Sequence, residues 1–184
     1  MANKWRDEDL QPLTGALASM GDLPLYFDDT PGAFITMSHI KGECTKIYRK
    51  HGQLGLIIVD YLQLIGDQAA GNRVNELGKY TATLKSFAKE FNCPVVALSQ
   101  LSRNVESRND KRPVMADLRD SGCIEQDGGV ILFLYRDEYY KKDSPDRGIL
   151  EIEIGKNRHG RTGTVKALFN PETGRIENYR NYGD

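Results

Sequence analysis

The sequence predicts an α/β fold, with a mostly parallel sheet flanked by helices and antiparallel hairpins at the carboxyl end. Two apolar, β-branched runs, residues 56–59 and 94–98, flank a long helical pattern. A strand–helix–strand order makes such strands parallel, with a right-handed crossover. Residues 149–154 instead alternate apolar and acidic side chains, which is typical of an antiparallel strand with one solvent-facing side. A length of 184 residues favours a single domain over 1–184.

The composition is that of a globular protein without a general attraction to polyanions. Apolar residues make up 39% of the chain and charged residues 28%, and the formal net charge is −1, so binding to nucleic acid must come from a local patch. No apolar run approaches the roughly 20 residues of a membrane span, and the first residues lack the apolar core of a secretory signal. We therefore expect a cytoplasmic protein without membrane contact. The three cysteines and three histidines are scattered, which indicates reduced thiols and no histidine-based metal site.

The amino-terminal part predicts two helices with a short strand between them. Apolar residues three and four apart predict a helix over 7–20, and residues 23–27 predict a strand. A second helix begins after Thr36, its N-cap, and ends near Lys50, with Gly52 as the residue that closes it.

The apolar run that begins the sheet ends in a single acid, Asp60. We predict a strand buried on both faces, and the carboxyl edge of such a sheet is where open α/β folds bind ligands. Asp60 is either the acid that holds a hydrated Mg²⁺ against a nucleotide (a Walker B aspartate) or a strand-end residue that caps the next element. A helix over 72–91 follows, and the next strand ends at Ser99 and Gln100, which the parallel arrangement places beside Asp60.

Residues 101–120 break the periodic pattern. They carry many charges and few apolar residues, and a loop of this length in a compact domain is either functional or a solvated surface segment. A short helix over 121–127, capped by Ser121, and a third buried strand over 130–135 follow, and residues 136–147 are predicted to form a loop.

The carboxyl-terminal hairpins carry a cluster of positive charge. Strands are predicted over 149–154, 164–169 and 175–179. Residues 155–161, Gly-Lys-Asn-Arg-His-Gly-Arg, connect the first two and are called the basic tip here. Three cations at a strand boundary fit contact with phosphate, and they also fit an ordinary solvated turn.

Several stretches form a recognisable set, among them Ile-Val-Asp-Tyr-Leu-Gln-Leu at 58–64, Asp-Leu-Arg-Asp-Ser-Gly at 117–122 and Lys-Asn-Arg at 156–158. The full set is residues 26–32, 57–64, 97–103, 110–113, 117–122, 124–127, 133–136 and 156–158. In order and spacing it resembles the carboxyl-terminal half of the motor domain of DnaB-type bacterial replicative helicases, a branch of the RecA-like ATPases. The resemblance implies a partial RecA-like (P-loop NTPase) fold, here a truncated helicase carboxyl-terminal domain.

The resemblance implies a role for each matching residue in the nucleotide site. Asp60 would orient Mg²⁺ through water, and Gln100 would sense the γ-phosphate of ATP. Lys156 and Arg158 would reach the nucleotide of a neighbouring subunit, where an arginine finger can be worth about 10³–10⁵ in rate.

The resemblance also assigns a DNA-contacting set, which would hold the backbone of single-stranded DNA in the central channel of a ring. That set is Arg119, Asp120 and Gly122, with Arg112 and Lys111 beside them. The partners implied are further copies of the chain (a hexamer in the family), with primase and loader bound through parts not present here. Because the sheet would lack the P-loop strand, we expect apolar edges near 95–98 and 130–134 to make the isolated chain a dimer or an aggregate.

The sequence contains no Gly-x-x-x-x-Gly-Lys-[Ser/Thr] motif. The resemblance implies that the family's catalytic glutamate lies in a unit before the start of this chain. We therefore expect the chain alone not to hydrolyse ATP. Two functions stay open. The chain is either part of a ring-forming, ATP-dependent replicative DNA helicase, or a stand-alone, non-catalytic interaction module that joins or inhibits a helicase ring. The matches at 117–122 and 156–158 disfavour other RecA-like ATPases, such as recombinases or clock-type proteins.

Overall fold

Residues 6–31, 34–66 and 73–179 are described by a computed structural model, which for residues 7, 9, 73, 74 and 119–121 covers the backbone alone. The chain divides into two compact units, Met1–Pro31 and Gly32–Asp184. In the described part, every helix is too short or too polar to cross a bilayer. The expectation of one domain over 1–184 remains a prediction.

The first unit is a helix followed by an extended segment. Helix α1 spans Asp7–Gly21, in agreement with its apolar periodicity. Residues 24–30 form no strand, so the strand predicted over 23–27 is wrong. Its apolar residues have no strand to pair with among the described residues, and a single extended run is not stable as a strand without such a neighbour.

Helix α2 spans Met37–His51 and has the ends that its sequence predicts. The side chain of Thr36 accepts a hydrogen bond from the His39 N–H at 3.1 Å. Gly52, with φ at 76°, adopts the left-handed conformation that glycine takes without a steric penalty, and its N–H donates to the Tyr48 carbonyl at 2.7 Å.

The core of the second unit is built around a pair of parallel strands. Strands β1 (Ile57–Val59) and β2 (Val95–Ala97) are joined through α3 (Arg73–Glu90) and pair in parallel, with Ile57 opposite Val95. The strand–helix–strand prediction is therefore confirmed. The large side chains buried in this core include Leu62, Leu77, Leu84, Phe87 and Phe91.

One face of this strand pair is covered and the other is not. Ile57 and Val59 are buried with side chains of α2 and α3, whereas Ile58 between them is 61% exposed. The prediction that the first strand is buried on both faces is therefore wrong. The described helices that pack on Ile57 and Val59 supply cover on a single side.

Residues 101–120 contain more local structure than the loop predicted for them. Two 3₁₀ helices span Arg103–Ser107 and Met115–Ser121, and the second runs directly into α4, Gly122–Asp127. Helix α4 confirms the short helix predicted over 121–127. Ser121 directly precedes α4, but its side chain lies outside the description, so its role as the N-cap stays a prediction. The two 3₁₀ helices and their connection are called the 103–121 segment below.

The carboxyl-terminal half is a four-stranded antiparallel sheet in the order β3-β4-β5-β6. Its elements are β3 (Val130–Tyr135), a short helix α5 (Asp137–Tyr140), β4 (Ile149–Asn157), β5 (Gly163–Phe169) and β6 (Ile176–Asn178). The predicted hairpins are confirmed, while α5 replaces part of the loop predicted over 136–147. The third strand differs from its prediction, because β3 pairs antiparallel with β4 and alternates exposed and buried residues.

The predicted fold class is confirmed, since parallel strands covered by helices precede antiparallel hairpins. Within the described residues the parallel part has two strands and the antiparallel part has four.

Candidate functional site

The two residues predicted at the nucleotide edge lie at the ends of neighbouring strands. Asp60 directly follows β1, Gln100 lies shortly after β2, and both are exposed. The chains stay together beyond the strands, because the Leu98 N–H donates to the Val59 carbonyl at 2.9 Å and the Leu62 N–H donates to the Leu98 carbonyl at 3.0 Å. Asp60 and Gln100 therefore share the carboxyl edge of the parallel pair, where open α/β folds bind ligands.

The side-chain amide of Gln63 connects the ends of the two strands, because its nitrogen and its oxygen each form a hydrogen bond. Its Nε2 donates to Ser99 Oγ at 2.9 Å, and its Oε1 accepts from the Gln100 N–H at 3.3 Å. The backbone at Gln100 is thereby held against the turn that follows Asp60. The sequence pattern alone gives Gln63 no role. The signal that could have found it is a lone amide inside an otherwise apolar run, Tyr-Leu-Gln-Leu-Ile.

Asp60 suits a magnesium ion that keeps most of its water. Mg²⁺ is commonly bound by one or two carboxylates together with waters and substrate phosphates. Asp60 offers one exposed carboxylate at an edge shared with Gln100. Among the residues that the structure describes, no three His, Cys, Asp or Glu side chains converge on a point. The donor set therefore fits an ion shared with a nucleotide better than one caged by protein ligands.

A β-bulge lies at the start of the basic tip. Ile131 pairs with Lys156 and Leu132 with Ile154, so Gly155 is the extra residue of β4. A Cβ on Gly155 would lie 2.6 Å from a ring carbon of Phe133, so the close approach of this backbone to a buried ring requires glycine. Bulges re-aim the side chains that follow them, and here the next one is Lys156.

Two cations of the basic tip contact the end of α4. Lys156 Nζ donates to the Glu125 carbonyl, and Arg158 Nη2 donates to the Gln126 carbonyl at 3.2 Å. The Arg158 N–H also donates to the Gly129 carbonyl at 2.9 Å. Carbonyl groups at a helix carboxyl end carry partial negative charge, which stabilises cations placed there. Arg158 remains exposed and does not fold into the core.

The first group of predicted DNA-contacting residues lies where the second 3₁₀ helix meets α4. Arg119 and Asp120 belong to that 3₁₀ helix, and Gly122 begins α4. The side chains of Arg119 and Asp120 lie outside the description. Helix α4 has six residues, and Arg158 of the basic tip contacts its far end. One short helix therefore connects this backbone to the basic tip.

Arg112 and Lys111, in contrast, contact the protein itself. Arg112 donates twice to the carboxylate of Glu151, with Nε–Oε2 at 2.8 Å and Nη2–Oε1 at 2.9 Å. Its guanidinium carbon lies 4.6 Å from the ring centroid of Tyr135. Lys111 Nζ donates to the Glu106 carbonyl at 2.6 Å. A direct contact of these two cations with DNA stays a prediction.

Glu151 is a residue whose environment the sequence pattern misjudged. Alternation placed it on the solvent side of β4, yet it is 8% exposed. A buried carboxylate is costly unless it is paired, and Arg112 supplies the pair from 39 positions away. The hydrogen bonds to Glu151 in turn raise the pKa of the Arg112 guanidinium.

A second attachment of the 103–121 segment runs through two stacked tyrosines. The rings of Tyr135 and Tyr140 lie 5.7 Å apart, and the Tyr140 hydroxyl donates to Glu106 Oε1 at 3.0 Å. The Tyr135 hydroxyl donates to Asp137 Oδ1 at 2.7 Å. Burial, and then this hydrogen bond, raise the pKa of Tyr135 to about 12, while the bond from Tyr135 is the main cause of a lowered pKa at Asp137.

Comparison with known proteins assigns the chain to a family. A family model described as the DnaB-like helicase C terminal domain matches residues 1–178. The replicative DNA helicase DnaB of Geobacillus stearothermophilus is 46% identical over 177 residues, which are 95% of this chain and 38% of the relative. The replicative DNA helicase DnaB of Pasteurella multocida (strain Pm70) is 47% identical over 155 residues, or 84% of this chain and 33% of the relative. The chain thus spans less than two fifths of the length of these relatives.

Solved structures agree with this assignment. One, described as an ATPase domain, superposes with a TM-score of 0.87 at 38% identity, over 96% of this chain and 62% of that chain. A DnaB-like replicative helicase, described with its interactions with primase, also gives 0.87 at 38% identity, over 97% of this chain and 44% of the other. The fold and the sequence therefore lead to the same conclusion: the chain belongs to the family of DnaB-like helicase C-terminal domains.

Proposed function

We propose that this chain is part of the motor of an ATP-dependent, ring-forming replicative DNA helicase that acts in the cytoplasm. The observation that supports it best is the placement of Asp60 and Gln100 at the ends of two adjacent parallel strands. In this proposal Asp60 holds the hydrated Mg²⁺ of a bound ATP, and Gln100 contacts the γ-phosphate. The ion, when bound, supplies positive charge to the phosphates during phosphoryl transfer.

The proposal gives the basic tip a role in a neighbouring subunit. Arg158 is exposed on a turn after β4, and a guanidinium offers a planar fork of donors that matches phosphate oxygens. The present partners of Lys156 and Arg158 are neutral carbonyl groups. Exchange of such hydrogen bonds for bonds to phosphate adds the attraction between opposite charges, because the phosphate oxygens carry a negative charge and the carbonyl groups do not.

The proposal places single-stranded DNA at Arg119, Asp120 and Gly122. The net charge of the chain is −1, so the attraction has to be local, and binding by one copy is weak because few phosphates are neutralised. A hexameric ring of identical subunits would multiply these contacts. Contacts with primase and with a loader are proposed to use parts outside these 184 residues.

A complementation assay tests the role of the basic tip in trans. The recipient is a full-length relative, such as the Geobacillus stearothermophilus helicase, in which the residue aligned with Arg158 is alanine. The chain alone should show no ATP hydrolysis, and its addition should restore turnover to the recipient. A chain carrying Arg158→Ala should fail to restore it, while Arg161→Ala, a change to another exposed cation of the same tip, should succeed.

Each outcome of this assay separates the candidate functions. Equal restoration by the wild-type and Arg158→Ala chains contradicts the trans-acting role. Inhibition of an unmodified relative without any restoration of the recipient favours the stand-alone interaction module. Hydrolysis by the chain alone contradicts the expectation that its own pocket is inactive.

The DNA contact is tested by the salt dependence of binding to a fluorescent oligo-dT strand. Arg119→Ala should weaken binding and lower the slope of log K against log salt by about 0.7, the value for one phosphate of a single strand. Arg103→Ala, which removes an exposed cation of the first 3₁₀ helix, serves as the matched control and should leave the slope unchanged. A slope that Arg119→Ala does not alter contradicts the assignment.

A further inference from the structure

We propose that the ion pair between Arg112 and Glu151 positions the 103–121 segment for its contact with DNA, an inference that rests on the proposed function. Arg112 is then a positioning residue, and the contact itself is made by Arg119 and the backbone beside it. The proposal gives Glu151 a task at a place where the alternating pattern of β4 predicts only a solvent-facing acid.

The geometry of the Arg112–Glu151 pair attaches the segment firmly to the sheet, and the pair is called the anchor below. The guanidinium meets both carboxylate oxygens of Glu151 and lies over the ring of Tyr135. Tyr135 and Glu151 are directly opposite each other on β3 and β4, so one planar group bridges two strands of the sheet. The Glu151 side chain is 11% exposed and that of Arg112 is 42% exposed. A lysine cannot reproduce this contact, because it lacks the planar fork.

The anchor is connected to the DNA-contacting end through a second arginine of the same segment. Arg108 Nη2 donates to the Arg112 carbonyl at 2.7 Å and to Asp117 Oδ2 at 2.9 Å, and Arg108 Nη1 donates to Asp117 Oδ1 at 3.1 Å. Asp117 is buried and also accepts from the Val114 N–H at 2.7 Å. Asp117 stands two positions before Arg119 in the same 3₁₀ helix. The segment therefore holds its shape through shared hydrogen-bonding groups.

The sheet also contacts α4, the helix that continues the segment. Glu151 lies on β4, the strand that also carries Lys156, and Lys156 contacts the end of α4. Because α4 continues the second 3₁₀ helix, the contacts form a closed circuit from Arg112 through β4 and α4 back to Arg119. These contacts fix the segment near its middle, through Arg112, and at its carboxyl end, through α4.

The competing role for Arg112 is a direct contact with a DNA phosphate. The two roles predict opposite effects when Glu151 loses its charge. If Arg112 binds phosphate, Glu151→Gln frees a cation and removes a nearby anion, so DNA binding should tighten. If Arg112 positions the segment, the same change loosens the anchor, so DNA binding should weaken without loss of a phosphate contact.

Hydrogen exchange of the full chain without DNA tests the anchor itself. In Glu151→Gln and in Arg112→Lys, the amides of residues 103–121 should exchange faster while those of α2 and α3 remain unchanged. Unchanged α2 and α3 amides also show that the variants fold. Glu177→Gln is the control, because Glu177 forms an ion pair with Arg175 at 2.7 Å and lies on β6, at the opposite edge of the sheet from β3. Exchange at 103–121 that is the same in wild type and Glu151→Gln overturns the proposal.

Oligo-dT binding then tests the consequence for DNA. Glu151→Gln and Arg112→Lys should each bind oligo-dT at least about tenfold more weakly, because a factor of about ten corresponds to the cost of ordering the backbone of one residue on binding. Both variants should keep the wild-type salt slope. Tighter binding by Glu151→Gln, or wild-type affinity in Arg112→Lys, overturns the positioning role. Absence of any DNA binding by the wild-type chain overturns the proposed function, while the exchange result still decides whether the pair orders the segment.

Discussion

The side chains of Gln63 and Ser99 form a hydrogen bond of 2.9 Å that ties together the ends of the two parallel strands. The same Gln63 side chain accepts the N–H of Gln100 at 3.3 Å. A single amide thus holds the turn after Asp60 and the segment that carries Gln100, which are the two parts of the candidate nucleotide edge. A double-mutant cycle can measure how strongly this bridge contributes to folding.

We expect Gln63→Leu to lower the free energy of unfolding by about 1–2 kcal/mol, because a partly buried hydrogen bond is lost and its partner is left unsatisfied. Ser99→Ala should cost about 1 kcal/mol for the same reason. The double variant should cost less than the sum of the two, by about 0.5–1 kcal/mol, since the shared bond is removed only once. Urea unfolding followed by circular dichroism measures all three values. Strictly additive values would contradict the bridge.

The raised pKa of Tyr135 predicts that the fold loses stability in alkaline solution. Its pKa is raised to about 12 by burial and by its hydrogen bond to Asp137, against about 10 for an ordinary tyrosine. Between these values the unfolded chain releases the phenolic proton and the folded chain keeps it. The free energy of unfolding should therefore fall as the pH rises, by up to about 1.4 kcal/mol per pH unit for this group.

Tyr135→Phe should remove this group's contribution to the fall of the free energy of unfolding with pH. Urea unfolding at intervals between about pH 9 and pH 12 measures it, since this range runs from below the ordinary tyrosine pKa to the raised one. Tyr139→Phe alters an exposed ring and should keep the wild-type slope. Equal slopes for the wild type and Tyr135→Phe would show that this phenol does not keep its proton in the folded chain.

The side chains around Gly155 leave no room for a Cβ at the bulge of β4. An added Cβ would lie 2.6 Å from Phe133 Cε2 and 3.3 Å from Met115 Sδ, and Phe133 is 4% exposed. Gly155→Ala should therefore destabilise the fold by about 1–3 kcal/mol, the usual cost of overpacking. Gly42→Ala is the control, because its Cβ would meet nothing within 4 Å in the interior of α2, and it should stabilise by about 0.5–1 kcal/mol. Equal effects of the two changes in urea unfolding would contradict the close contact.

The parts of the fold that were predicted correctly depend on neighbours in sequence. Thr36 and Gly52 end α2 as expected, because the groups that they cap lie within a few residues. The parallel pairing of β1 and β2 follows from the order strand, helix, strand. That pairing placed Asp60 and Gln100 at one edge, while their chemical roles came from the family resemblance and remain predictions.

The parts that were missed depend on contacts between distant residues. Burial of Glu151 requires Arg112, 39 positions away, and an alternating pattern holds no information about such a partner. The exposure of Ile58 depends on what covers the second face of the sheet, which an apolar run does not reveal. Gln63 was missed because the groups that its amide joins, Ser99 Oγ and the Gln100 N–H, lie 36 and 37 positions away.

The outer face of the antiparallel sheet predicts self-association of the isolated chain. Leu132 and Leu134 of β3 are 54% and 62% exposed. Leu134 is followed across the sheet by Ile152 and Val165, its partners in register on β4 and β5, so the apolar side chains form one continuous face. In the described residues β3 is also an edge strand. Exposed apolar faces and unpaired edges both favour association.

We expect the wild-type chain to sediment as dimers or larger species whose share grows with concentration. The double change Leu132→Lys and Leu134→Lys should shift this distribution towards the monomer, because two buried ammonium groups are costly in an apolar contact. Ala82→Lys adds a charge to an exposed position of α3 and should leave the distribution as in the wild type. A wild-type chain that stays monomeric at every concentration would mean that this face is too small, or too well hydrated, to hold two copies together.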